Sequence, residues 1–186
     1  MVGKERRKQQ IMSLLGSLRV TVIRVTSESM SSLVSTDYLQ PDLMGVDRWL
    51  AIYSVLSDLE SYSMVVDAGT ALTIDILHGA HHKGGYIVPG YFAQLDSMVT
   101  SAALPDVSGQ GQDVSLGVDT ASCMRHGVWM QLSSFVSAVV ARYPGVNLHI
   151  TGGDAEMLAG LISYPSNVHD NLVLDGLIKF GLRVDS

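Results

Sequence analysis

Three short stretches of this chain carry residue types that could handle a phosphate, a cation or a proton. Asp67-Ala68-Gly69-Thr70 joins two apolar runs. A glycine at such a bend lets backbone approach a phosphate, and successive turn N–H groups form a concavity for an anion. The Thr70 hydroxyl can donate to a phosphate oxygen, and Asp67 at a strand end can hold a cation that offsets phosphate charge. The same residues also suit an ordinary tight hairpin. Thr151-Gly152-Gly153-Asp154 stands between a strand pattern and a helix pattern. Glycines there let a flat or phosphorylated ligand lie against the backbone and the helix start. The alternative is a glycine-rich turn with Asp154 as helix N-cap. Gly45-Val46-Asp47-Arg48 sets a carboxylate beside a guanidinium near a helix start. That pairing is either a base with an anion clamp or a surface ion pair acting on the first helical turn. His78, His81 and His82 crowd around Lys83 with no cysteine and no His-Glu-x-x-His spacing. A solvated hairpin tip is therefore favoured over a zinc site.

The elements that must position these residues follow from periodicity. Lys4 to Leu18 predicts an amphipathic helix, with Ile11, Leu14, Leu15 and Leu18 at spacings of three and four. Arg19 to Thr26 alternates as a strand, and Ser27 to Asp37 reads as a loop. Leu43 to Leu59 predicts a helix, with Trp49, Ile52, Tyr53 and Leu56 on one face. Ser63–Asp67, Ala71–Ile76 and Tyr86–Val88 predict three antiparallel strands in a meander, with Leu77 to Gly85 as a turn. Helices follow over Phe92–Ala102 and Ser122–Tyr143, then a strand over Val146–Thr151, a helix over Ala155–Ile162 and a last helix over Leu177–Val184.

Composition narrows the function classes. The 186 residues are 47% hydrophobic and 16% charged, which is globular rather than disordered. The net charge of −6 argues against nucleic acid, and the one basic cluster is Lys4 to Lys8. No run of 18 apolar residues exists to span a membrane, and the short apolar stretch near the start is broken by Ser13, Gly16 and Ser17, unlike a signal peptide. Cys123 is the single cysteine; it excludes an intrachain disulfide, fits a reducing cytoplasm and reads as a packing residue. The nine methionines read as fillers of gaps in the core.

The motifs stand in an order that resembles type III pantothenate kinases. Tyr38-Leu39-Gln40-Pro41-Asp42-Leu43-Met44-Gly45-Val46-Asp47-Arg48 is similar to the family's Tyr…Pro…Leu-Gly-x-Asp-Arg, with Met44 in place of the usual leucine. Asp67-Ala68-Gly69-Thr70-Ala71-Leu72-Thr73-Ile74-Asp75 matches Asp-Ala-Gly-Thr-Ala-x-Thr-x-Asp without departure. Gly84 to Gly90 is similar to Gly-Gly-x-Ile-x-Pro-Gly, and Thr100 to Pro105, Gly117-x-x-Thr120, Gly127, Thr151 to Ala155 and Leu172 to Leu177 follow in order. The resemblance covers about Tyr38 to Leu182.

The resemblance implies an α/β ribonuclease-H-like (actin-like ATPase) fold, with the first domain truncated (residues 1–60, carrying the substrate motif) and the second complete (61–186). It implies ATP-dependent phosphorylation of pantothenate, the first step toward coenzyme A. Asp47 would be the general base. Tyr38, Gly45, Val46, Asp47, Arg48 and Thr120 would bind pantothenate. Gly69, Thr70, Gly152 and Gly153 would meet the nucleotide, and Asp67 would bind potassium or ammonium. The family is dimeric, with its site near the subunit interface.

One family element has no counterpart. The Asp-x-Gly-Asn-Thr strand that cradles ATP phosphates and holds magnesium matches nothing between Met1 and Thr36, where no aspartate occurs. Phosphoryl transfer leans on metal and backbone contacts to the β- and γ-phosphates. Two readings stay open on this ground: a kinase, or an impaired relative that binds pantothenate or nucleotide or acts as an interaction protein.

Overall fold

The computed structural model describes residues 2–18, 22–57, 59–102 and 114–184. A mixed sheet forms the middle layer. Its strands are β1 (Ser35–Thr36), β2 (Tyr62–Ala68), β3 (Ala71–His78), β4 (His81–Pro89), β5 (Asn147–Thr151) and β6 (Ser166–Val168), in the spatial order β1-β4-β3-β2-β5-β6. Only β3 runs against its neighbours; the other pairings are parallel, or follow from two antiparallel steps. The C-terminal ends of β2, β4 and β5 therefore share one end of the sheet with the start of β3.

Alternation along the strands builds two cores. Met64, Val66, Ala68, Leu72, Ile74 and Ile76 face α4 (Tyr91–Ala102), α5 (Thr120–Val140) and α6 (Ala155–Leu161). Val65 and Leu77 face the opposite layer, α3 (Val46–Val55) with α7 (Leu172–Val184). Strands β2 and β3, with apolar residues on both faces, suit a sheet covered by helices on both sides. Helix α5 is started by Asp119, whose carboxylate accepts from the Ser122 amide at 2.7 Å while the Ser122 hydroxyl accepts from the Asp119 amide at 3.1 Å.

Helices α3 and α7 pack almost backbone to backbone. Leu172, Gly176 and Phe180 recur every fourth residue and are buried, and a Cβ at Gly176 would run into the Leu50 backbone. Asn171 starts α7 by accepting from the Leu174 amide at 3.2 Å.

Several expectations are corrected. Residues 22–26 form no strand, since the open edge of β4 is taken by β1, and Thr26 instead caps α2 (Ser27–Ser31) in a capping box with Ser29; Arg19 to Thr21 lie outside the described residues. The stretch Ser27–Asp37, expected as a loop, thus holds α2 and β1, anchored by buried Met30 and Val34. Helix α3 stops at Val55, because Leu56 turns extended and the Ser57 hydroxyl accepts from the Leu59 amide. The last helix begins at Leu172, drawn in by its buried face. The turn expected over Leu77–Gly85 shrinks to Gly79-Ala80, with strand on both sides. Cys123 is exposed rather than packed. The N-terminal helix α1 is Val2–Ser17, and Met30, Met44 and Met64 do fill the core.

Gly176→Ala is expected to destabilise the protein by about 1–3 kcal/mol through overpacking. Urea unfolding followed by circular dichroism checks this.

Candidate functional site

Loop and helix starts gather at the end of the sheet just described. The β2–β3 bend is tightened by the Gly69 amide donating to Ala71 O at 3.1 Å, and the Gly90 amide donates to Thr70 O at 3.0 Å. The turn after β5 closes over the same bend: the Asp154 amide donates to Ala68 O at 2.9 Å. Gly152 has φ +100°, and a Cβ there would strike Ala68 O and Asp67 Oδ1. Asp67, Gly69 and Thr70 are thus joined to Gly152 and Gly153. Asp154 sits at the N-cap position of α6 but makes no side-chain cap bond, and burial raises its pKa.

The second component comes from the opposite layer. Gly45 precedes α3 and Asp47 occupies its first turn, exposed, with Oδ1 accepting from the Arg48 amide at 2.8 Å. The Arg48 side chain turns inward. Its Nε and Nη2 donate to the two oxygens of Asp75 at 3.0 and 2.6 Å, and the pair is 9% and 1% exposed. Such forked pairs fix orientation as well as charge. His82 completes the network. It is wholly buried, its Nε2 lies 2.8 Å from Asp75 Oδ1, and its Nδ1 lies 2.9 Å from Thr36 Oγ1. Asp75 can only accept, so Nε2 donates. The Tyr38 amide donates to Thr36 Oγ1 at 2.9 Å, and the Tyr38 ring lies 5.7 Å from the guanidinium carbon. Trp49 meets His82 edge-on at 5.8 Å between ring centres.

Electrostatics tie the two components together. Burial raises the Asp67 pKa, and the negative charges of Asp47 and Asp75 add to the rise. Arg48 is opposed by burial, but the hydrogen bonds and charge of Asp75, helped by Tyr38, keep its pKa above the usual value. Asp75 is therefore matched by a guanidinium, while Asp67 makes no ion pair among the described residues. Among the described residues no group of three or more His, Cys, Asp or Glu side chains converges as a metal site.

Comparison with known proteins decides the family. The type III pantothenate kinase profile matches residues 2–142. The chain belongs to the type III pantothenate kinase family. A type III pantothenate kinase of Acinetobacter baumannii is 30% identical over 176 residues, which are 92% of this chain and 70% of that enzyme. One from Psychrobacter cryohalolentis is 31% identical over 138 residues, 74% of this chain and 57% of its own length. Among solved structures, a Campylobacter jejuni protein described as belonging to a Baf family of transcriptional activators is 26% identical, covers 87% of this chain and 73% of its own, and superposes with a TM-score of 0.62. The Alp12 filament structure is 14% identical with a TM-score of 0.52 over 74% of this chain. It shows the fold: ribonuclease-H-like, of the actin-like ATPase kind.

The family match begins well upstream of Tyr38, where the motif resemblance starts. Tyr38, Gly45, Val46, Asp47 and Arg48 come together around the start of α3, and Asp67, Gly69, Thr70, Gly152 and Gly153 around the strand ends. Thr120 opens α5 on the other side of the sheet, exposed, with no hydrogen bond to the others among the described residues. The expected Asp47–Arg48 surface ion pair is replaced by the buried Arg48–Asp75 pair. His78 and His81 stay half-exposed, with His81 bonded to Ser35 and Asp37, but the solvated-tip reading fails for His82. His82 pairs directly with buried Leu77 and so shares its inward face, toward α3. Asp75 and Thr36 were also missed as network members. An acid inside the apolar run Leu72–Leu77 was the available signal for Asp75; nothing local marked Thr36.

Arg48→Met is expected to cost about 3–5 kcal/mol, because Asp75 and His82 stay buried without their cation; equilibrium denaturation measures it. Asp67 gives a pH prediction. Its folded pKa stands above the usual 3.8. Its contribution is full below that value and fades as pH rises through the folded pKa. Without added monovalent cation, Asp67→Asn should therefore gain on the wild type in melting temperature as pH is raised from about 4 to 7.

Proposed function

We propose that this protein phosphorylates pantothenate at the expense of ATP, giving 4′-phosphopantothenate. The observation that carries the reading is the meeting of two components far apart in sequence. An exposed carboxylate, Asp47, stands in the electrostatic field of the bend that holds Asp67 and Thr70. Asp47 accepts the proton of the pantothenate hydroxyl as it attacks the terminal phosphoryl group. Oδ1 is steadied by the Arg48 amide, and Oδ2 makes no hydrogen bond among the described residues, so it is available to substrate. Tyr38, Gly45, Val46 and Arg48 line the pantothenate side, and Thr120 contributes from the start of α5.

Thr70 donates to a nucleotide phosphate, while Gly69, Gly152 and Gly153 let the nucleotide lie against backbone. Asp67 would hold a monovalent cation, potassium or ammonium. The fit rests on its raised pKa, since a bound cation relieves the burial and like-charge repulsion that disfavour the carboxylate. That cation supplies positive charge beside the phosphates. Magnesium is expected with the ATP, held largely by the nucleotide phosphates, since the motif that would supply its usual protein ligand matches nothing in Met1 to Thr36. The remaining assignments belong to the same reading: a first-domain part over 1–60 and a second domain over 61–186, a homodimer, and work in the cytoplasm without nucleic acid. No described helix is long and apolar enough to cross a membrane.

A second reading is a relative that binds pantothenate or nucleotide without turning it over, or acts as an interaction protein.

The test is ADP release coupled to a spectrophotometric readout, with pantothenate, ATP, magnesium and potassium. Turnover is expected, and Asp47→Asn should lower kcat by about 10²–10⁴ with the fold kept. Absent turnover together with calorimetric pantothenate binding would replace the kinase reading with the second.

A further inference from the structure

Two polar side chains on the α4–α5 side of the sheet are buried with no partner. Tyr91 is 1% exposed, yet its hydroxyl makes no hydrogen bond among the described residues. The Nε–H of Arg125 is likewise buried and unpaired. Fewer than one in ten buried polar groups go unpaired, and each such group costs stability. The two are linked through Trp129. Arg125 sits one turn before Trp129 on α5, and Trp129 stacks on Tyr91 with ring centres 4.4 Å apart and planes 16° apart. Burial raises the Tyr91 pKa, and the Trp129 indole N–H lies near enough to draw it down in part. In parallel-stacked rings, however, that N–H points along its own plane, and no hydrogen bond of proper geometry reaches the phenol oxygen.

The position matters as much as the vacancy in bonding. Tyr91 follows Gly90, whose amide donates to Thr70 O at the β2–β3 bend. Asp154, whose amide donates to Ala68 O in the same bend, lies near enough for its charge to reach Tyr91. Both orphaned donors therefore stand at the end of the sheet that holds the candidate site, but across it from Asp47. Neither belongs to any motif that identified the family.

We infer that Tyr91 and Arg125 form a subsite for an oxyanion of the ligand bound at this end of the sheet. A guanidinium N–H and a phenol O–H are both donors, the chemistry that suits a phosphate oxygen or a carboxylate. In the kinase reading, on which the ligand's identity rests, that oxyanion is a nucleotide phosphate or the pantothenate carboxylate.

Calorimetry on the full chain separates the sources, using ADP, pantothenate and inorganic pyrophosphate as probes against wild type, Arg125→Gln and Tyr91→Phe. Arg125→Gln is expected to weaken the seated probe about tenfold or more, and Tyr91→Phe about threefold or more. Loss confined to ADP and pyrophosphate assigns a phosphate; loss confined to pantothenate assigns a carboxylate. Tyr91→Phe should leave the ligand-free melting temperature equal or higher, since it removes an unpaired hydroxyl. A purely structural hydroxyl would lower it. Unchanged affinities in both variants overturn the subsite and leave the kinase reading standing. Arg125-dependent pyrophosphate binding by a protein that ignores ADP and pantothenate supports the subsite and sinks that reading. A wild type that binds none of the three overturns the subsite.

Discussion

The buried bond between Arg48 and Asp75 is the constraint on which the site depends. It joins the first turn of α3 to the middle of β3, and its two charged partners stand 27 positions apart in the sequence. Taking two charges out of water is unfavourable unless every lone pair and proton is matched. Here Asp75 accepts from a forked guanidinium and from the His82 ring, and His82 is held in turn by Thr36, whose hydroxyl oxygen accepts from the Tyr38 amide. Because such a network tolerates no slack, it fixes the height of α3 on the sheet. Asp47 is the residue before Arg48, so its exposed carboxylate inherits that position.

The strand directions supply the other half of the arrangement. Since β3 alone is reversed, a single hairpin presents its bend at the same end as the exits of β4 and β5. Gly152 then lets the β5 exit sit directly on that bend. The result is a cleft edge made of backbone amides and carbonyls on one side and carboxylates on the other. It is a sensible surface for a phosphorylated ligand with its counter-ion, and the unmatched Asp67 is where the positive charge is wanted.

Much of this was legible in the sequence, and the exceptions share a cause. The meander, helices α4 to α6 and the two glycine-bearing turns followed from local periodicity and turn chemistry. Motif order gave the family and pointed to Asp47, Asp67, Thr70 and Gly152. What local pattern could not reveal was long-range pairing. His82 looked like a surface histidine because its neighbours are polar, whereas its pairing with buried Leu77 turns it inward. Residues 22–26 have a strand's alternation but join no edge of the sheet. Arg48 looked like a partner for the adjacent Asp47, whereas its true partner is brought by the sheet. Tyr91 and Arg125 have no sequence signature, since what sets them apart is the bonds they do not make.

The central claim is that the Arg48–Asp75 fork positions the pantothenate-facing loop, rather than merely filling the core. Pantothenate titration by calorimetry with Arg48→Lys tests it most directly, because lysine keeps the charge but cannot make the two-pronged bond. With circular dichroism showing an intact fold, the account predicts an affinity lower by about tenfold or more. Wild-type affinity in that variant would contradict it.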